Sequence, residues 1–206
     1  MHIAINLPGV TPRGGLLSST AAVVKKEVVY TKFFHHPDHN ISLRPFCIAR
    51  DMPVIYNWAW KISRAANMVA ASYMYTGASD FARSFMVLLN NRIPLCQVDI
   101  CNAAKDELYE SYHAAPGDYI LRFLLNTKKK KVRPLHVKAV QTCMEYFLSF
   151  AEVKQLIAEP EAGNKMYNDL LRKAGFTFKE KAHSQYTAFN VYACPRDFFQ
   201  HNYLSM

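Results

Sequence analysis

Glu159-Pro160-Glu161-Ala162-Gly163-Asn164 runs on through Leu170-Leu171-Arg172-Lys173-Ala174 to Gly175-Phe176. The stretch reads as the end of a buried strand, a helix start with Asn164 in its first turn, and a helix stopped by a glycine before an aromatic strand. Met166, Leu170, Leu171 and Ala174 fall at helical spacing and are expected to face inward. Just upstream, Val153 to Ala158 is an apolar run of strand length. A strand, a helix and another strand in so short a span imply a sheet with a helix laid on one face.

Working back along the chain, a helix is expected from about Pro134 to Phe150. Its inward positions are Ala139, Val140, Cys143, Met144, Phe147 and Leu148. Before it come the basic run Lys128 to Lys131 and a strongly apolar strand, Tyr119 to Leu125. Asp106 to Tyr112 reads as a helical turn or loop ending at Pro116-Gly117-Asp118. Phe81 to Leu89 and Ile93 to Ile100 are strands joined by the hairpin signal Asn90-Asn91-Arg92. Ile41 to Phe46 is a strand. Asp51 is expected to cap a short helix with Pro53 in its first turn and Ile55, Trp58 and Ile62 on one face. Ala65 to Tyr75 suits a second helix. Phe176 to Lys179 and Thr187 to Ala193 suit closing strands.

The predicted fold is therefore α/β of the α+β kind: a mixed, mostly antiparallel sheet with helices on both faces. Residues 1–40 read as an N-terminal extension, with at most one strand from Ala21 to Thr31, and 41–206 as the compact domain. With 206 residues, 50% of them hydrophobic, the chain suits one domain with a sizeable core.

A formal charge of +9 favours an anionic partner such as a phosphorylated cofactor, an acidic substrate or nucleic acid. The lysine run lacks the interleaved aromatics that stack bases, so nucleic acid is not the expected partner. Five cysteines at wide spacings, with no CxxC, read as reduced, buried small hydrophobes. That points to the cytoplasm. No apolar run reaches a membrane span, and no signal peptide or membrane partner is expected. His35-His36-Pro37-Asp38-His39 is broken by its proline, and no metal is expected there. Trp58, Trp60, Tyr73 and Tyr75 read as core or cleft wall.

Four segments in order resemble the GNAT superfamily of acyl-CoA N-acyltransferases. The closer resemblance is to the branch that acetylates hydroxylamine side chains in hydroxamate siderophore biosynthesis. Asp51-Met52-Pro53 through Trp58 is similar to the family's Asp-x-Pro-x-x-x-x-Trp helix. Ile93 to Asp99 resembles the strand that usually carries Glu-x-Tyr. Lys105-Asp106-Glu107-Leu108 through Gly117-Asp118 resembles the acidic loop before the fourth strand. Glu159-Pro160 with Asn164 and Ala174-Gly175-Phe176 resembles the closing half of the acetyl-CoA core, and Arg196-Asp197-Phe198-Phe199 resembles the family's final Arg-x-x-Phe.

The resemblance implies a fourth and a fifth strand that splay apart to admit the pantetheine arm of acetyl-CoA. Those would be Tyr119–Leu125 and Val153–Ala158, with Leu124 and Leu125 beside the arm. The loop and helix start after the fourth strand would hold the pyrophosphate, here through Lys130, Lys131, Val132, Arg133, Leu135 and His136. Asn164 would contact the cofactor from the next helix. Tyr56 and Trp58 would touch the acceptor, an amine or hydroxylamine. A monomer or homodimer is implied, with no metal.

The chain departs from the family pattern at three places. The loop Lys128 to His136 has no glycine, and Pro134 removes an N–H. Either side-chain ammonium groups and Arg133 replace backbone donors, or the run is a solvated basic loop. Arg122 stands where siderophore-type members place a catalytic His, and Glu161 where they place an Asp; the two are expected to form an ion pair at the cleft. An Arg takes no proton, so His136, His183 and Glu161 are the candidate bases. Leu171 stands where many members carry a thiolate-protonating Tyr, and Tyr167, one turn earlier, makes a poor substitute by helix geometry. Two functions follow as expectations: an acetyl-CoA-dependent N-acetyltransferase of siderophore type, or a GNAT-fold protein that binds a ligand or partner without acyl transfer.

Overall fold

The computed structural model describes residues 28–34, 39–59, 81–105, 113–128, 130–183 and 187–204. Eight strands form one sheet. They are β1 (Tyr30–Phe33), β2 (Asn40–Pro45), β3 (Ala82–Leu89), β4 (Ile93–Asn102), β5 (Asp118–Leu125), β6 (Gln155–Ala158), β7 (Thr177–His183) and β8 (Ala188–Pro195). Their spatial order is β1-β2-β3-β4-β5-β6-β8-β7. Every neighbouring pair is antiparallel except β5 and β6. A parallel pair needs a crossover, and α2 (His136–Leu148) supplies it. The other helices are α1 (Ile48–Ala59), α3 (Lys165–Ala174) and the single turn α4 (Arg196–Phe199).

Period-two alternation sorts the side chains into two layers. Phe85, Val87, Val98, Ile100, Leu121 and Leu156 point to one face and pack with Ala139, Val140, Cys143, Met144 and Phe147 of α2 and Leu170, Leu171 and Ala174 of α3. Met86 and Leu88 point to the opposite face, where Ile55 and Trp58 of α1 cover them. Helices thus lie on both faces, as expected. Burying a side chain such as Phe147 contributes roughly 1.5–3 kcal/mol, so the α2 face is the main source of stability.

The β3–β4 hairpin turns on Asn90 and Asn91, with φ of 50° and 58°. Asparagine tolerates this left-handed region, and the turn's twist matches its strands. A register shift follows between Val87 and Leu88, which sets Cys96 and Pro94 opposite them and bulges β4 at Leu95.

Several local expectations need correction. The sheet begins before Ile41, because Tyr30–Phe33 pairs with β2. Helix α1 starts at Ile48, so Asp51 lies within it and is not its cap. Its carboxylate accepts from the Cys47 N–H at 2.8 Å and takes a bidentate pair from Arg44 at 2.6 and 2.7 Å. Pro134 sits in a 3-10 segment, Lys130–Leu135, and α2 proper begins after it. Met166 is exposed; Tyr167 takes the inward place on α3. Four cysteines are buried and Cys47 is exposed, all five as free thiols. The expected second helix at 65–75, the acidic loop 106–112, His35 to Asp38, Ile62, Trp60, Tyr73 and Tyr75 lie outside the described residues.

Candidate active site

Strands β5 and β6 are paired only at Asp118–Gln155, Tyr119–Leu156 and Ile120–Ile157. β5 continues to Leu125 against β4, while all four residues of β6 stay with β8. Past Ile120 the two strands therefore part, and the edge of β5 from Arg122 to Leu125 has no ladder partner on that side. The splay implied by the resemblance is present, between β5 and β6 once β1 is counted.

Tyr167 reaches into this opening from α3. Its hydroxyl oxygen accepts the Phe123 N–H at 3.0 Å. Helix geometry makes Tyr167 a poor substitute for the thiolate-protonating Tyr of the family, yet its phenol is the group of α3 that meets the free edge of β5. Burial pushes the phenol's pKa well up, so it stays protonated. Because the oxygen already accepts a backbone N–H, its own proton is directed elsewhere.

Asn164 is the N-cap of α3, and its Oδ1 accepts the Tyr167 N–H at 3.2 Å. Only its amide nitrogen is left to meet a ligand. Asn168 continues the anchor, donating to the carbonyls of Asn164 at 2.7 Å and Glu161 at 2.9 Å, and its Oδ1 accepts from Asn190 at 2.6 Å. The sequence reading missed Asn168; its place one turn after the cap was the available signal.

The loop after β5 is closed by its own arginine. Arg133 donates through Nε and Nη2 to the Thr127 carbonyl at 3.1 and 2.8 Å. Lys128 Nζ reaches Asn57 of α1 at 2.6 Å, and Lys130 and Lys131 are exposed. Val132 lies in the 3-10 segment, and Leu135 is half-buried against the core. His136 does not face solvent: it is buried beside the carbonyls of Asn126 and Leu95, and its Nε2 has no partner among the described residues. Burial, aided by Arg133, pulls its pKa below the usual histidine value, although those carbonyls push it back up. It is a buried neutral imidazole at the head of α2, ill placed to contact a phosphate or take a proton from an acceptor.

The α1 face of the central strands carries a polar row. Asp99 of β4 lies in register with Ser84 of β3 and Arg122 of β5. It is buried, and its Oδ1 accepts from both Ser84 and Gln97. Arg122 is half-buried, with Nη1 3.6 Å from Cys101 Sγ. Asp99 was quoted in the sequence only as part of a strand; register is what makes it part of a site.

The expected Arg122–Glu161 ion pair is absent. Glu161 is exposed beyond the end of β6, bridged through its backbone to Phe189, and its carboxylate makes no ion pair among the described residues. The reason is the splay itself, which carries the two residues apart. His183 sits at the end of the outer strand β7, with β8 between it and β6. Trp58 is buried against Met86 and Leu88 and belongs to the core, while Tyr56 is exposed on the outer side of α1. Leu124 packs toward α1, and Leu125 is buried on the α2 face. No group of three or more His, Cys, Asp or Glu suited to a metal occurs among the described residues.

Among the described residues the architecture is an open mixed sheet that parts at its one parallel pair, with a helix crossing over beside the gap. Residues 48–183 match the family model of the acetyltransferase (GNAT) domain, and the chain belongs to that family. No curated protein matches the sequence. Among solved structures, an uncharacterized protein from Bacillus halodurans aligns at 15% identity over 86% of this chain and 95% of its own, with a TM-score of 0.66. The enzyme AAC(6')-Ib, solved with ribostamycin and coenzyme A, aligns at 19% identity over 79% and 97%, with a TM-score of 0.67. Spermidine N-acetyltransferase from Vibrio cholerae, solved with CoA and spermine, aligns at 10% over 77% and 97%, with a TM-score of 0.58. At these identities the likeness is one of fold.

Proposed function

We propose that this chain is an acetyl-CoA-dependent N-acetyltransferase acting on a small amine or hydroxylamine, in the cytoplasm. The observation that carries the reading is the gap beyond Ile120 and Ile157, with the Tyr167 hydroxyl seated on the Phe123 N–H inside it. The CoA-bound structures of the same fold support the choice of donor. The siderophore role rests on the motif resemblance alone.

Acetyl-CoA supplies an acyl group activated as a thioester. The unpaired edge of β5 offers backbone groups to the pantetheine amides. Lys128, Lys130 and Lys131 meet the phosphates as point charges, since the loop has no glycine cradle and Arg133 is folded onto Thr127. In the transfer, the acceptor nitrogen bonds to the thioester carbon, the carbon–sulfur bond breaks, and the nitrogen gives up its proton to solvent water. Tyr167 donates a hydrogen bond to the departing thiolate, which takes its proton from solvent because the raised phenol is a weak acid. No histidine of the described residues stands at the gap to take the nitrogen's proton. A hydroxylamine is largely neutral near neutral pH and depends less on a base, so it fits this site better than an alkylamine.

Calorimetric titration with acetyl-CoA, followed by thiol release with amine and hydroxylamine acceptors, tests the proposal. Binding is expected, and Lys128→Gln with Lys130→Gln and Lys131→Gln is expected to weaken it about tenfold or more, because each charge-assisted contact is worth about 1.5–3 kcal/mol. Loss of salt dependence in that variant would accompany the loss of affinity. Binding without turnover on any acceptor would favour the catalytically silent reading, which Arg122 at the position of the family's base motivates. Absence of acetyl-CoA binding would end the acetyltransferase reading.

A further inference from the structure

Tyr167 and Asn168, neighbours on α3, reach opposite walls of the gap. The Tyr167 hydroxyl oxygen accepts the Phe123 N–H of β5 at 3.0 Å. Asn168 is turned from it by one helical step of about 100° and meets the other wall. Its Nδ2 donates to the Glu161 carbonyl, just past β6, at 2.9 Å, and its Oδ1 accepts from Asn190 Nδ2 of β8 at 2.6 Å. A bond from Nδ2 to the Asn164 carbonyl at 2.7 Å fixes the amide on α3 itself. Asn168 is buried, so these bonds form away from bulk water, where a polar network holds its geometry most strictly.

The wall that Asn168 meets is one unit. The Asn190 N–H donates to the Pro160 carbonyl at 3.0 Å and the Ala162 N–H to the Ala188 carbonyl at 2.8 Å, so the chain leaving β6 is zipped to β8. Past the Ile120–Ile157 pair no ladder joins β5 to this unit. There α3 spans the opening, with a phenol on one side and a carboxamide on the other. Asn190 Oδ1 is buried and meets no partner among the described residues. What holds the Asn190 side chain in place is therefore the bond its amide nitrogen gives Asn168. We propose that Asn168, braced by Asn190, is a positioning residue for acetyl transfer: it fixes the width of the gap and the place of the Tyr167 hydroxyl on the β5 edge. Asn168 acts through Tyr167, and only the kinetic part of the inference rests on the acetyltransferase reading above. A misplacement of about 1 Å is enough to lose about a hundredfold in rate.

Asn168→Ala is expected to lower kcat about tenfold and to change the KM for acetyl-CoA by less than about threefold, since the gap still admits the arm while the phenol is displaced. In a Tyr167→Phe background the same substitution is expected to lose no more than about threefold further, because a residue that acts through the phenol has nothing left to position. Exchange of the Phe123 amide, read without any donor, is expected to quicken in Asn168→Ala towards its rate in Tyr167→Phe, and to quicken more than the amides of the β3–β4 ladder. If Asn168→Ala does not fold, Asn190→Ala keeps both carbonyl anchors of Asn168 and gives the same readings on a smaller scale. Losses in kcat that multiply in the double variant overturn the proposal. So does a Phe123 amide that exchanges as slowly as in the parent, or that quickens only in step with β3–β4, either of which makes Asn168 a structural brace alone. The exchange readout also separates the two levels. A parent that binds no acetyl-CoA ends the acetyltransferase reading, whereas exchange at Phe123 still decides whether Asn168 sets the gap.

Discussion

At the scale of single residues, Tyr167 and His136 show opposite outcomes for polar side chains near the gap. Tyr167 satisfies the one backbone donor of β5 shown bonded inside the gap, Phe123 N–H. Tyr167→Phe keeps the ring and removes that acceptor, so stability is expected to fall by about 1–3 kcal/mol, the cost of an unsatisfied buried donor. Catalysis is expected to fall further, with kcat down about tenfold or more and the KM for acetyl-CoA little changed, because the lost contact forms with the departing sulfur. Steady-state kinetics beside urea denaturation separates the two effects. A loss confined to stability would make Tyr167 a strut. His136 titrates with a known sign. Its pKa in the folded chain lies below the ordinary value of 6.5. Above that value both folded and unfolded forms are neutral there. As the pH falls, the unfolded chain takes up the proton first, so stability is lost from about pH 6.5 down through the folded pKa, at up to about 1.4 kcal/mol per pH unit. His136→Asn is expected to flatten this acid limb in denaturation curves taken between neutral and mildly acidic pH. An unchanged slope would mean that burial leaves the imidazole's titration unperturbed.

At the scale of elements, α3 was legible in the sequence because its signals are local. Asn164 caps it, Gly175 ends it at φ 111°, and the Phe176 N–H returns to the Leu171 carbonyl at 3.0 Å. Gly175 is held by packing as well as by conformation, since an added Cβ would stand 2.7 Å from the Tyr203 ring. Gly175→Ala is accordingly expected to cost about 1–3 kcal/mol, read as a lower thermal midpoint, with acetyl-CoA affinity preserved. A thermal midpoint equal to the parent's would show that Tyr203 moves aside freely. The start of α1 was misjudged because the side-chain pairing of Asp51 was not visible in its spacing. Asp51 looked like a cap, but Arg44, on the strand that leads into the helix, takes its carboxylate from inside the first turn. The loop before α2 was half legible: its lysines and missing glycines were plain, whereas the folding of Arg133 onto Thr127 depends on the path of the backbone. Ser84 escaped, and so did the alignment of Ser84, Asp99 and Arg122, for a similar reason. They are far apart in the chain and meet through the register of three strands, which no local spacing encodes.

At the scale of the whole molecule, the sheet is two units joined by a short seam. β1 to β5 are antiparallel neighbours on one side, β6, β8 and β7 on the other, and only Asp118 to Ile120 ties β5 to β6. The α2 and α3 helices bridge the units from one face. A molecule built this way gains most from a ligand that fills the seam, because donor contacts would substitute for ladder bonds the chain does not make. Binding at a hundred times Kd stabilises the folded state by about 2.7 kcal/mol. Where that energy lands distinguishes a donor in the gap from one held only by the basic loop. With acetyl-CoA present, amide hydrogen exchange is expected to slow most at Arg122 to Leu125, the β5 edge of the gap, and at Ala158 and Glu159, where the chain leaves β6. Slowing confined to Lys130 to Leu135 would put the donor on the loop alone and leave the parted strands without a ligand.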